Sequence, residues 1–154
     1  MITMDDFVQW LRAQLDEDER IARAATPGPW RYDPGKHHHI VGTPLFEEAV
    51  FAGPPGSDAT CVAGTGETDD RQSMADAAHI ARHDPARVLR EVDAKRQLLT
   101  ELEAAESAMD QASRDGDTIR YNSVRAEWVV LRRVVRRDAA VYAHRPGYRP
   151  EWRP

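Results

Sequence analysis

The chain has 154 residues, the size of one ordinary domain, and a chain of this length buries about 68–70 % of its unfolded surface. Hydrophobic residues make up 41 % of the chain, charged residues make up 31 % and there is one cysteine, Cys61, which excludes a disulfide-stabilised secreted protein. No apolar run approaches a membrane span and no signal region is present, so we expect one cytoplasmic domain, residues 1–154.

Charge is distributed unevenly along the chain. The formal net charge is −5, but residues 118–154 carry nine arginines against three acids. Residues 67–117 carry the opposite excess, thirteen acids against seven bases. A basic C-terminal quarter therefore follows an acidic segment. This pattern indicates that a binding surface for an anionic partner would be formed by the arginines.

The first predicted element is a helix over residues 4–25. Phe7 and Leu11 begin an apolar edge at helical spacing, and Thr3 is placed to cap the first turn. The helix has to end at residues 26–29, where two prolines and a glycine prevent its continuation. An amphipathic N-terminal helix is therefore expected.

Residues 30–63 have the pattern of short β-strands. Their β-prone runs are separated by the turn-forming sequences DPG, GTP and GPPG. We predict three or four antiparallel strands that end at Ala63, so that Gly64-Thr65-Gly66 lies in a loop before the next helix. A sheet this small is marginally stable alone, and its apolar face should pack on helices.

Two helices, residues 68–82 and residues 84–114, form the centre of the predicted fold. Thr68 or Asp69 is expected to cap the first helix. The second helix begins at Asp84-Pro85, because proline disfavours helical geometry in the residue before it yet fits the first helical position. The pattern predicts a long amphipathic helix. Its apolar stripe consists of Val88, Leu89, Val92, Leu99 and Leu102.

A last helix is predicted over residues 117–144. The short turn before it makes it antiparallel to its predecessor, so we expect a helical hairpin. The tail, residues 145–154, is too rich in proline for a helix, and Tyr148 and Trp152 are placed to anchor it to the body or to a partner. The whole pattern predicts an α+β fold with an N-terminal helix, a small antiparallel sheet of three or four strands, a short helix and a long helical hairpin.

Three segments occur in a recognisable order. They are FVQWLRAQLDEDERIARAATPGPW from Phe7 to Trp30, HIARHDPARVLREVDAKRQLL from His79 to Leu99, and PGYRPEWRP from Pro146 to Pro154. In this order they resemble an uncharacterised family of small actinobacterial proteins that phages and prophages also carry, known only as a domain of unknown function. The resemblance implies an accessory role and supplies no activity or catalytic residue.

A cluster of arginines in the last predicted helix is the main candidate for ligand binding. Residues four positions apart share a helical face, and guanidinium groups on one face can neutralise phosphates while nearby aromatic rings stack on bases, so the cluster predicts a nucleotide or nucleic-acid ligand. The alternative is that the preceding acidic helix pairs with the arginines in surface salt bridges, each contributing ~0–1 kcal/mol. The cluster consists of Arg132, Arg133, Arg136 and Arg137.

Histidines suggest a metal site as a second hypothesis. His79 and His83 are four residues apart, and two imidazoles at that spacing can bind one metal, with His144 or one of residues 37–39 as a third ligand. No glutamate follows His79, so the general base of an HExxH motif is absent. The alternative is that His83 forms a backbone hydrogen bond near the helix break.

Recognisable enzyme motifs are missing from the sequence. It has no nucleophile elbow, no paired cysteine motif and no dinucleotide fingerprint. We therefore expect no enzyme, no cofactor and no catalytic residue, but a small cytoplasmic binding protein that acts stoichiometrically on a protein partner or by self-association. Two alternatives stand beside it: a nucleotide or nucleic-acid binder that uses the arginine cluster, and a metal-dependent hydrolase that uses His79 and His83.

Overall fold

The computed structural model describes residues 4–56 and 59–154. The cap predicted at Thr3 lies outside the described residues. Helices and a small four-stranded antiparallel sheet confirm the predicted α+β class. In chain order the elements are α1 (Met4–Ala24), β1 (Trp30–Arg31), β2 (His37–His39), β3 (Phe46–Ala52), β4 (Thr60–Glu67), α2 (Arg71–Arg82), α3 (Pro85–Asp115), α4 (Thr118–Ala139) and two 3-10 turns, Ala140–Tyr142 and Pro150–Trp152.

The chain divides into two compact units. The sheet unit comprises Asp18–Arg90, and the helical unit comprises the residues up to Glu17 together with Glu91–Pro154. The organisation of the chain as a single domain stays a prediction. Among the described residues, no helix combines the length and the apolar character needed to cross a membrane.

Strand β3 is the centre of the sheet unit. It pairs antiparallel with β1 and β2 along one edge and with β4 along the other. Its residues from Glu48 to Ala52 are all buried, and helix α2 packs against β3 and β4 with Ser73 and Ala77 buried. The small sheet is thus covered by a helix, as its size requires.

Strand β4 extends four residues beyond the predicted end of the sheet. Gly64-Thr65-Gly66 pairs with β3 in a bulged register, with Gly66 opposite Glu48 and Gly64 opposite Ala49. Thr65 Oγ1 donates a hydrogen bond to Ser73 O at 2.7 Å. The predicted loop is therefore wrong, because pairing with β3 and this contact with α2 offset the weak strand propensity of glycine.

Helix α2 begins at Arg71, later than predicted, and Asp70 is its N-cap. The Asp70 carboxylate accepts hydrogen bonds from Ser73 N at 2.8 Å and from Ser73 Oγ at 2.9 Å, and these bonds lower the pKa of Asp70. Asp69 occupies the preceding turn with φ of 60°, a conformation that aspartate tolerates better than most residues. The caps predicted at Thr68 and Asp69 are wrong, because these residues form the turn rather than the helix start.

Asp84 forms the junction between α2 and α3, which falls where the Asp-Pro step predicts it. The buried Asp84 carboxylate caps α3 by accepting a hydrogen bond from Arg87 N at 2.8 Å. Its other oxygen accepts a hydrogen bond from Trp30 N at 3.1 Å. One side chain therefore joins the TPGPW segment to the HDPARVL segment.

The TPGPW turn, residues 26–30, approaches Asp84 closely. Trp30 Nε1 donates a hydrogen bond to Thr26 O at 2.8 Å, which closes the turn on itself. A Cβ atom at Gly28 would stand 2.7 Å from Asp84 Oδ2 and 3.2 Å from Ala86 Cβ. Glycine is therefore required at this position by the approach of the two segments rather than by backbone angles.

Apolar side chains of α1, α3 and α4 form the core of the helical unit. The predicted stripe of α3 is confirmed at Val92, Leu99 and Leu102, which are all buried. Helix α4 is joined to α3 by Gly116 and Asp117 and ends at Ala139, where the backbone tightens into a 3-10 turn. Its predicted end at residue 144 is therefore five residues too late.

Aromatic side chains hold the C-terminal tail on α1. The ring centroid of buried Trp152 lies 5.4 Å from that of Phe7 and 5.2 Å from that of Trp10. Trp10 Nε1 donates a hydrogen bond to Pro146 O at 3.1 Å, and the Tyr148 ring lies 5.4 Å from the Trp10 ring. The tail is thus part of the helical unit, and it contains one 3-10 turn where no helix is predicted.

Candidate functional site

Three of the four predicted arginines line a shallow groove on the helical unit, which we call the arginine groove. Its volume is about 200 Å³. The fourth residue, Arg137, is exposed and is not among the lining residues. The structure therefore brings together most, but not all, of the predicted ligand-binding residues. The groove is lined by Val129, Arg132, Arg133, Arg136 and Pro154.

Helix α4 places these side chains by its periodicity. The four lining residues of α4 follow one another at spacings of three, one and three positions, so they share one helical face. Asp117 fixes the start of the helix, since its carboxylate accepts a hydrogen bond from Arg120 N at 2.9 Å. Arg136 lies in the last turn, where the negative end of the helix dipole favours a positive side chain.

Two guanidinium groups of the groove have unsatisfied hydrogen-bond donors. The Nε atoms of Arg132 and Arg136 are buried, and neither has a hydrogen-bond partner in the described residues. Burial lowers the pKa of Arg136, and the positive charge of Arg132 lowers it further. The site therefore concentrates positive charge around two buried donor atoms without acceptors in the described residues, which costs free energy unless an anion compensates it.

The acids of α3 do not compensate this charge. Glu103 instead forms an ion pair with Arg12 of α1, with an N–O distance of 2.7 Å. Glu106 is partly buried beside further acids: burial raises its pKa, and Asp5, Asp110 and Glu103 raise it in turn. In residues 4–56 and 59–154, no ion pair joins an arginine of the groove to a carboxylate. The salt bridges of the alternative hypothesis are therefore not seen at the groove arginines of the described residues.

Aromatic side chains lie beside the groove. The Arg132 guanidinium is 5.2 Å from the centroid of the Trp128 ring, a cation–π distance. Tyr148 is close enough to Arg136 to raise its pKa, against the two larger effects that lower it. The Tyr148 hydroxyl is itself buried without a hydrogen-bond partner in the described residues. The groove arginines thus lie near an aromatic ring and near a hydroxyl group without a hydrogen-bond partner in the described residues.

The histidine pair on α2 has the geometry of the structural alternative. The ring centroids of His79 and His83 are 4.3 Å apart, and His83 Nδ1 donates a hydrogen bond to His79 O at 2.8 Å. Both side chains are exposed. His83 therefore makes the backbone hydrogen bond expected near the helix break. The metal hypothesis for His79, His83 and His144 stays a prediction.

A different group of metal-binding side chains occurs in the sheet unit. Donor atoms of His37, Glu48 and Asp69 lie within 4.8 Å of one another. His37 was predicted only as a possible third ligand for His79 and His83, and Glu48 and Asp69 were not predicted as ligands. The sequence feature that could have indicated this group is a β-hairpin with HHH on one strand and FEE on the next. In the antiparallel register of β2 and β3, His37 pairs with Glu48.

Comparison with known proteins identifies a family for this chain. The model of a family of unknown function, DUF6221, matches residues 4–154. No curated protein and no solved structure matches the chain. The predicted kinship with a domain of unknown function is confirmed: the chain belongs to this family.

Proposed function

We propose that this member of a family of unknown function is a binding protein that acts stoichiometrically and holds a phosphate group in the arginine groove. The observation that carries the proposal is the pair Arg132 and Arg136, whose buried Nε donors lack acceptors in the described residues. A buried donor without an acceptor costs about 1–3 kcal/mol, and more when it is charged. An anion held by the other N–H donors of the same guanidinium groups would offset this cost through its charge.

Phosphate is the chemical group that fits these donors best. Arginine presents its N–H donors in a planar fork that matches two phosphate oxygens, and such charge-assisted hydrogen bonds are about twice as strong as neutral ones. Exposed Arg133 lies at the same groove and adds a third positive charge. Three guanidinium groups thus surround a space suited to one or two phosphate groups.

The size and surroundings of the groove favour a compact phosphate ligand over a nucleic acid. Its volume of about 200 Å³ is below the ~300–1,000 Å³ of pockets that enclose a whole drug-sized molecule. The helical unit also carries the acidic cluster around Glu106, which repels an extended polyanion. We therefore assign the groove to the phosphate end of a nucleotide or pyrophosphate-like molecule.

Binding of pyrophosphate and ATP at low salt tests this proposal by isothermal titration calorimetry. Arg132→Gln and Arg136→Gln should each weaken binding by about 10–100-fold, because a hydrogen bond to a charged group contributes ~1.5–3 kcal/mol. Arg137→Gln is the matched control, since it removes the same charge from the same helix outside the groove. It should change the affinity by less than about twofold.

Two results would contradict the phosphate proposal. Absence of binding to the wild-type chain at low salt would remove it. An equal loss in all three variants would show general charge attraction instead of a site. Electrophoretic mobility shifts with DNA and RNA test the nucleic-acid alternative. That alternative predicts a shifted band that excess pyrophosphate does not reverse. It also predicts that the shift weakens steeply as the salt concentration rises.

We further propose that the protein associates with a second copy of itself or with a protein partner through the β2–β3 hairpin. Val41, Leu45 and Phe46 are exposed by 87 %, 60 % and 53 % on this one hairpin. Neighbouring exposed apolar side chains are typical of interaction surfaces. Self-association is the state that we expect in solution.

We also propose a cytoplasmic location and an accessory role for the protein. A cytoplasmic location is supported by the single cysteine, Cys61, which has no second cysteine in the chain for a disulfide. An accessory role in actinobacteria and their phages is supported by the TPGPW, HIARHDPARVL and EWRP segments that carry the resemblance.

A further inference from the structure

The side chains of His37, Glu48 and Asp69 form a compact group of nitrogen and oxygen donors. They come from three places in the sheet unit: strand β2, strand β3 and the turn between β4 and α2. One donor atom from each lies within 4.8 Å of the other two. Residues distant in the sequence therefore converge on one point beside the central strand.

Glu48 is a deeply buried carboxylate, with 1 % of its surface exposed. Its Oε1 atom accepts a hydrogen bond from Asp69 N at 2.9 Å, and its Oε2 atom accepts one from the Tyr32 hydroxyl at 3.2 Å. Both donors are neutral, and no lysine or arginine of the described residues forms an ion pair with it. Burial of a charged carboxylate without a positive partner costs free energy of folding. A bound cation would offset this cost.

His37 supplies a second buried ligand atom. Its Nε2 atom lies 3.2 Å from Glu48 Oε1, but outside the direction that a hydrogen bond requires, and it has no hydrogen-bond partner in the described residues. A protonated His37 would give an ordinary cross-strand ion pair with Glu48. A neutral His37 would leave a nitrogen lone pair next to a buried carboxylate, which is the arrangement that a metal ion uses.

We propose that His37, Glu48 and Asp69 bind one divalent cation of the zinc type. One imidazole and two carboxylates form a mixed nitrogen and oxygen set, whereas Ca²⁺ and Mg²⁺ prefer oxygen alone. Three protein ligands leave a further coordination position for water or another ligand. Ligand atoms around a tetrahedral zinc are about 3–4 Å apart, given bonds of ~2.0–2.3 Å, and the three donor atoms lie within 4.8 Å of one another. The side chain of Asp69 is exposed and so has room to approach an ion.

Tyr32 is a positioning residue in this site. Its hydroxyl donates a hydrogen bond to Glu48 Oε2 at 3.2 Å. Hydrogen bonds to a ligating carboxylate fix its orientation, and their loss typically weakens metal affinity by about 10–100-fold. Tyr32→Phe should therefore weaken zinc binding without removing any ligand.

Zinc content and affinity of the tag-free chain test the proposal. We expect one Zn²⁺ per chain by elemental analysis after dialysis, and a higher melting temperature with added Zn²⁺ than without it. His37→Gln and Asp69→Asn should each lower the affinity by at least about 10-fold in competition with a chromophoric chelator. Asparagine is chosen at Asp69 because it also tolerates the positive φ of this turn.

Matched variants separate this site from adventitious binding to other histidines. His38→Gln alters the next residue on the same strand, whose Nδ1 atom faces Glu47 at 3.0 Å instead. His79→Gln with His83→Gln removes the exposed pair on α2. Neither change should lower the zinc content, and circular dichroism should show that every variant is folded.

Several outcomes would overturn the zinc proposal. The first is a wild-type chain without stoichiometric zinc after incubation with Zn²⁺. The second is zinc content that His37→Gln and Asp69→Asn leave unchanged. The third is loss of zinc in the His79→Gln and His83→Gln double variant, which would place the metal on the α2 histidines. The cluster shares no residue with the arginine groove, so zinc binding and phosphate binding can be lost separately.

Discussion

Asp84 shows how one side chain can carry two structural roles. Its Oδ1 atom caps α3, and its Oδ2 atom accepts the Trp30 backbone N–H. The first role is local, and the Asp-Pro step predicts it from the sequence. The second role depends on the approach of a turn 54 positions away. Sequence patterns of neighbouring residues contain no information on such a contact.

Replacement of Asp84 by alanine should destabilise the protein by about 2–4 kcal/mol, since loss of an N-cap costs ~0.5–2 kcal/mol and an unsatisfied buried donor costs ~1–3 kcal/mol. Asp84→Asn should recover only the part of this loss that comes from the cap, because the single amide oxygen can accept from Arg87 N while the amide nitrogen cannot accept from Trp30 N. Urea unfolding at neutral pH measures both values. A change below about 0.5 kcal/mol for Asp84→Ala would show that neither hydrogen bond matters for stability.

The two candidate sites differ in how far the sequence predicted them. The arginine groove was largely predictable, because Arg132 and Arg136 share a helical face by spacing alone. Arg137 of the predicted cluster does not line the groove, and spacing alone does not show which helical face other residues line. The convergence of His37 with Glu48 was not predictable without the strand register, and a shift by one residue would place the two on opposite faces.

At the scale of whole elements, helices were predicted better than strands. The bounds of α1 and α3 follow local signals, namely the TPGP break after α1 and the Asp-Pro step before α3. The end of β4 follows a tertiary signal, because Gly64-Thr65-Gly66 is extended only by pairing with β3 and by the Thr65 hydrogen bond to α2. Glycines give no local indication of such pairing.

The packing of the C-terminal tail on α1 can be tested at Trp152, whose side chain is 3 % exposed. Trp152→Ala should destabilise the helical unit by about 3–5 kcal/mol, because it removes a large buried ring that contacts Phe7 and Trp10. Thermal or urea unfolding measures this loss. Glu151→Ala, at an exposed neighbouring position, should change the stability by less than about 0.5 kcal/mol. Equal stability of both variants would contradict the proposed anchoring of the tail.

At the scale of the whole molecule, the net charge conceals separate local charges. Residues 118–154 are basic although the chain is acidic, and the structure keeps the groove arginines without carboxylate partners in the described residues. The helical unit also retains the acidic cluster around Glu106. Under the proposed function, the geometry of one site selects the anionic ligand, since the average charge of the chain repels anions.

We expect the whole molecule to form a dimer in solution. Light scattering should give a molar mass of about twice the 17.4 kDa of one chain, because two hairpins can cover each other's exposed apolar side chains. Val41→Ser with Leu45→Ser should shift the protein towards the monomer. Val141→Ser is the control, as Val141 is also exposed but lies on the helical unit. A strictly monomeric wild-type chain would contradict the expectation.

The contact between Trp30 and Asp84 has a consequence for the evolution of the family. A carboxylate at one position and a glycine-proline turn at the other are useful only together, because the turn must present its backbone N–H where the carboxylate accepts it. Relatives should therefore keep both features or lose both. Their co-inheritance would identify distant members of the family even where the intervening sheet has diverged beyond recognition.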